Sequence, residues 1–226
     1  MMGAYAIGIL AMLVSWLVGR QLKSRFTKYS KTPLASGMSG AEIAQKMLHD
    51  HGIHDVKVMS VQGQLSDHYN PVNKTVNLSE PVYHARNAAA AAVAAHEVGH
   101  AVQHATAYQW LTMRSKLVPF VSFASQWMQW VLLGGILLVN SFGTGLLLFG
   151  IVLFALTTLF SLVTLPVEYD ASNRAMAWMK QRGIVTTAEY AMSADALKWA
   201  ARTYLVAAIA SIGTLLYYVM VYMNRR

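Results

Sequence analysis

Three stretches of the chain carry no Asp, Glu, Lys or Arg: residues 1–19, 117–167 and 203–224. A helix crosses a bilayer with about 20 apolar residues, so the outer stretches fit one span each and the middle one fits two. The middle stretch is broken at its centre by NSFGTG, residues 140–145, a cluster of glycines and small polar residues that favours a turn. The pattern therefore predicts a hairpin of spans at 118–139 and 146–165, and four spans in all. The first stretch has no basic leader and no small-x-small cleavage site before Arg20, so it reads as an uncleaved anchor.

Between the apolar stretches the pattern changes. In 20–116, SGMSGAEIAQKMLHDHGI has helical spacing, with Ser39 as N-cap and Gly52 as stop signal. Two runs of alternating apolar and polar residues follow and predict two or three short strands, 56–61 and 74–78 being the clearest. The second, NKTVNLS, reads equally as an internal strand or as an exposed edge to which an extended substrate could add. An alanine-rich helix is expected over 88–107. The second polar region, 168–202, reads as two helices parted by RGIVTT, with Thr187 as a cap. The expected fold is a mainly α integral membrane protein: four transmembrane helices and a small α+β cytoplasmic domain.

Composition supports this. Of 226 residues, 55% are hydrophobic and 12% charged, half the charge of an average soluble domain at about 25%. Sixteen of the eighteen Lys and Arg residues fall in 20–116 and 168–202, and only Arg225 and Arg226 lie beyond the last span. By the positive-inside rule both polar regions face the cytoplasm of a cell membrane, as in a multi-pass protein of a bacterial inner membrane. The net charge of +8 then serves topology and lipid headgroups, and nucleic acid is not an expected partner. With no cysteine, thiolate metal sites and disulfides are excluded.

The candidate chemistry lies in AAAAAVAAHEVGHAVQHA. Residues four apart share a helix face, so His96 and His100 can turn imidazoles to one point and form half of a tetrahedral zinc site. Glu97 points aside from that pair, where it can take a proton from a water that zinc has acidified. At this composition about 0.006 HExxH matches are expected by chance. A third ligand is required. His104 continues the face, but lies about 12 Å along the axis from His96. Glu168 is the first charge after the hairpin, which returns the chain to the side it left; Asp170 and Asp195 are the alternatives. His68, Tyr69, Asn173 and Arg174 are candidates for polarising a substrate carbonyl, and His104 and Asp170 for supporting the ligands.

A helix with HEVGHAVQ, a two-span hairpin, then EYDASNRA, with DHYNPVNKTVNLSE upstream, resembles the YugP-type membrane-bound neutral zinc metallopeptidases over essentially the whole chain. It is more distantly similar to the HtpX-like membrane gluzincins. The resemblance implies His96, His100 and Glu168 as ligands of one Zn²⁺ and Glu97 as general base. The HtpX-like pattern has an Asp four residues after the ligand Glu, where this chain has Ser172. The expected activity is hydrolysis of protein or peptide substrates, membrane proteins among them, at the cytoplasmic membrane surface. The competing readings are a site-2-type intramembrane protease and a catalytically silent membrane scaffold. No oligomeric state follows from the sequence.

Overall fold

The computed structural model describes residues 2–63, 65–138 and 144–225, with side chains from residue 8 onward. Seven helices and three strands are described: α1 (Met2–Tyr29), α2 (Gly40–Asp50), β1 (Lys57–Val61), β2 (His68–Asn70), β3 (Thr75–Ser79), α3 (Glu80–Tyr83), α4 (Ala88–Ala105), α5 (Gln109–Leu137), α6 (Gly145–Gln181) and α7 (Thr187–Met223). They divide into two compact units. One comprises 1–17, 112–165 and 203–226; the other comprises 18–111 and 166–202.

The first unit is built from helices. Among the described residues, α5, α6 and α7 are long and apolar enough to cross a membrane. Glycines bring α5 and α6 together: a Cβ on Gly135 would lie 2.6 Å from the Leu147 Cα, and one on Gly150 would lie 2.8 Å from Leu132 Cδ2. Thr158 and Ser211 join α6 to α7 by a 2.7 Å hydroxyl hydrogen bond. Side chains such as Phe120, Phe123, Trp127 and Trp130 on α5 are exposed, as apolar residues facing lipid would be. All but the last two positions of the NSFGTG turn lie outside the described residues.

In the second unit, α2 begins as the sequence predicts. Ser39 Oγ accepts from the Glu42 amide, and Glu42 accepts in return from the Ser39 amide. The strands fall close to their expected places, with β2 as the third, and their order decides between the two readings of NKTVNLS. The sheet runs β1-β3-β2, with β3 parallel to β1 and antiparallel to β2. NKTVNLS is therefore the central strand, hydrogen-bonded on both sides, and offers no edge to a substrate. Its burial agrees: Val76 and Leu78 are fully covered and Asn77 and Ser79 nearly so. A strand buried on both faces does not need the clean alternation of a half-exposed one.

The core joins Ile43 and Met47 of α2, Val76 and Leu78 of β3, the alanines of α4, and Ala175 and Met179 of α6. The alanine run is explained by this packing. Ala88 to Ala92, Ala94 and Ala95 are all buried, and side chains of one carbon let α2 and the sheet close on α4. Two expected boundaries are also corrected. The helix does not break at Pro166: α6 runs on to Gln181, because a proline costs one internal hydrogen bond and need not end a helix. The cap of α7 is Thr186, whose Oγ1 accepts from the Glu189 amide, while Thr187 is the first helical residue.

Candidate metal centre

Helices α4 and α6 approach closely enough to place their polar residues together because Gly99 faces Ala171. A Cβ there would fall 2.5 Å from the Ala171 carbonyl oxygen. Within this contact, Glu168 Oε2 lies 3.3 Å from His96 Nε2 and 3.6 Å from His100 Nε2. Among the described residues these three form the group whose donor atoms all fall within 4.8 Å of one another. The spacing fits zinc. Bonds of about 2.0–2.1 Å in a tetrahedron set neighbouring ligand atoms about 3.3 Å apart.

Which imidazole nitrogen faces the centre is set by hydrogen bonding. Gln103 Nε2 donates to the Val167 carbonyl at 2.7 Å and to Asp170 Oδ2 at 2.8 Å. Its Oε1 is thereby turned to His100 Nδ1, 3.0 Å away, which must carry the proton and donate it. That leaves His100 Nε2 as the nitrogen able to ligate a metal. On His96, Nδ1 lies 3.1 Å from Ser172 Oγ, so again Nε2 faces the carboxylate. Such outer partners fix both tautomer and ring orientation. Glu97, 8% exposed, adjoins the set. Burial by itself would push His100 down. The hydrogen bond with Glu168 and the charges of Glu97 and Glu168 outweigh it, and His100 is raised above the ordinary imidazole value.

Several sequence candidates go elsewhere. His104 is outside the three-donor set; its Nδ1 is 2.8 Å from the Tyr69 hydroxyl, which ties α4 to β2. Asp195 pairs with Arg25 at 3.3 Å and accepts from the Tyr29 hydroxyl. Asp170 takes Arg174 Nε at 2.6 Å as well as Gln103. The Arg174 guanidinium lies 5.6 Å from the Tyr108 ring centre. His68 is bound within its own sheet, receiving from Asn77 Nδ2 at 3.2 Å. Asn173 is exposed. Gln103 was missed by the sequence reading as an imidazole support, whereas Ser172, which stands where the HtpX-like pattern has an Asp, is the group that meets His96. Gln103 stands three residues after His100, one turn along the same face, and that spacing was the available signal.

Replacing Gln103 by Ala removes the support of His100 while sparing all three ligands. Zinc affinity, read by competition with a chromogenic chelator, is expected to drop about 10–100-fold.

Two imidazoles and a carboxylate set across a helix pair, the imidazoles four residues apart with a glutamate between them, form a donor set that could hold a zinc ion. Comparison with known proteins agrees. The family described as "Putative neutral zinc metallopeptidase" matches residues 4–223. The chain is also 43% identical over 218 residues, 96% of each chain, to the "Putative membrane protease YugP" of Bacillus subtilis (strain 168). No solved structure matches it. The chain belongs to this zinc metallopeptidase family.

Proposed function

We propose that the chain is an integral-membrane zinc endopeptidase that cuts protein or peptide substrates at the cytoplasmic side of the membrane. The observation that carries this reading is the set of His96, His100 and Glu168, whose donor atoms converge at the spacing zinc requires. These residues would hold one Zn²⁺, with Gln103 and Ser172 orienting the imidazoles. Bound there, zinc supplies Lewis acidity, which polarises a carbonyl and lowers the pKa of a water. Glu97 is the general base: its carboxylate takes the water's proton, keeps it at an oxygen shielded from bulk solvent, and returns it to the leaving amine. Tyr69, held on β2 by His104 of α4, and Arg174, held on α6 by Asp170, remain candidates for contacting the substrate.

Metal analysis of the purified protein tests this. About one zinc per chain is expected; less than a tenth, with no gain on adding zinc, favours a silent scaffold. Binding should also depend on pH. In the metal-free chain the raised His100 favours folding at low pH, and that contribution is lost as pH rises through its folded value. Zinc needs the neutral ring, so its affinity runs the other way and should weaken about tenfold or more from pH 8 to pH 6 in chelator competition. A flat profile contradicts the assignment of His100.

For topology, α1 is the fourth span, and 20–116 and 168–202 face the cytoplasm with their sixteen basic residues. The chain has no cysteine, so Val72→Cys introduces a single thiol at a site 88% exposed. An impermeant thiol reagent is expected to label it in inverted vesicles and not in intact cells. Protection in both would favour the intramembrane reading.

A further inference from the structure

A cavity of about 400 Å³ opens in the second unit beside Ala90 of α4. Its apolar walls include Leu22 and Phe26 of α1, Pro81 and Val82 of α3, and Ala90 of α4. The polar groups among its walls are largely satisfied. Asp67 accepts from the Ser79 amide at 2.7 Å and from the Ser79 hydroxyl, and Asn87 caps α4 through the Ala90 amide. An occupant would therefore meet a mostly apolar surface, with Lys23, Thr27 and Ser30 as further polar groups in the lining. The volume falls within the usual range of ligand pockets, about 300–1,000 Å³.

Two elements lead from this cavity to the metal set. Along α4, Ala90 and Glu97 are seven residues apart, nearly two full turns, and so share a face about 10 Å apart. Along the strand side, Asp67 in the wall immediately precedes β2, and Tyr69 on β2 reaches His104 on α4. β2 is an edge strand of the sheet. A substrate chain lying over Glu97 and along the β2 edge would have to cover that distance to reach the cavity. At about 3.3 Å per extended residue, it arrives there after about three residues.

We infer that the cavity is a specificity pocket that seats a large apolar side chain of the substrate about three positions from the scissile bond. This rests on the peptidase reading and adds to it the class of substrate: segments rich in Leu, Ile, Phe or Met, such as membrane-derived or misfolded chains expose. The site is remote from the metal donors, so its effect is on selection and not on the chemical step. Filling it should discriminate by size, because a few methylenes in an apolar pocket are worth about 10–200-fold.

The test uses the full-length, zinc-loaded protein in detergent and a peptide library read by mass spectrometry. Thr27→Trp is the filling variant: Thr27 lines the cavity, is exposed on α1 and belongs to no part of the metal set. Wild type is expected to cut preferentially where a large apolar residue stands two to four positions from the scissile bond, on one side of it only. The variant is expected to bind zinc normally and to cut peptides with Ala at that position within about threefold of wild type. It should cut those with Leu or Phe there about tenfold more slowly or worse. No positional preference in wild type, or an equal loss on both peptide sets, overturns the pocket and leaves the peptidase reading standing. Zinc-loaded wild type that cuts nothing overturns both. A co-purified lipid that Thr27→Trp expels while the cleavage profile stays unchanged assigns the cavity to an acyl chain and overturns the proposal.

Discussion

Replacing Glu97 by Gln is expected to leave zinc bound and to lower peptide cleavage by about 10²–10⁴-fold, the contribution of a positioned general base. The two side chains match in size and shape, so the 8% exposed slot that Glu97 fills is kept. None of the three converging donors belongs to Glu97, and the imidazole supports come from Gln103 and Ser172. What the amide lacks is basicity: it cannot take a proton from water or deliver one to an amine. Zinc content and cleavage must be measured on the same preparation, alongside a variant of a metal ligand that loses both. A Glu97→Gln protein that binds zinc and cuts within a few-fold of wild type would remove Glu97 from the chemistry.

Replacing Gly99 by Ala acts on the site from the opposite side, through packing. The added methyl carbon would stand 2.5 Å from the Ala171 carbonyl oxygen, and all three of its nearest neighbours are backbone atoms of Ala171. No flexible side chain can yield, so α4 and α6 must part. Ala171 lies three residues from Glu168 and one from Ser172, which means that parting the helices draws a ligand and a ligand support away from the two histidines together. Overpacking of this kind costs about 1–3 kcal/mol of stability. A larger effect is expected on zinc affinity than from Gln103→Ala, since both imidazoles lose their opposite partner. Thermal unfolding with and without zinc separates the two effects: the stabilisation wild type gains from zinc should largely vanish in Gly99→Ala. An undiminished gain would show that the α4–α6 contact does not set the ligand geometry.

How far the sequence carried these conclusions varied from residue to residue. HEVGH was legible because helical spacing alone puts His96 and His100 on one face and excludes His104 by axial distance. Gly99 inside the motif gets its partner only from the structure, where it faces Ala171. Glu168 could be reached only through the hairpin, since no local spacing links residues more than sixty positions apart. Gln103 was missed for a different reason, and Ser172 was marked only by its place in the HtpX-like pattern, with its role left open. A glutamine in a helix and a serine in another are common as solvated or capping groups, and only the three hydrogen bonds of Gln103 distinguish it. The two readings of NKTVNLS stayed open for the same reason. Alternation along TVNLS suggests one exposed face, but Asn77 and Ser79 are buried by hydrogen bonding to Thr75 and Asp67. A polar residue that is satisfied internally looks in sequence like one that faces water.

X-ray absorption at the zinc edge, on the purified zinc-loaded protein, tests the proposed centre most directly. The expected shell holds two imidazole nitrogens and a carboxylate oxygen at about 2.0–2.2 Å, with one imidazole lost in His100→Ala and the carboxylate lost in Glu168→Ala. A wild-type shell with three imidazoles, with one or with none, or a shell unchanged by Glu168→Ala, would contradict it.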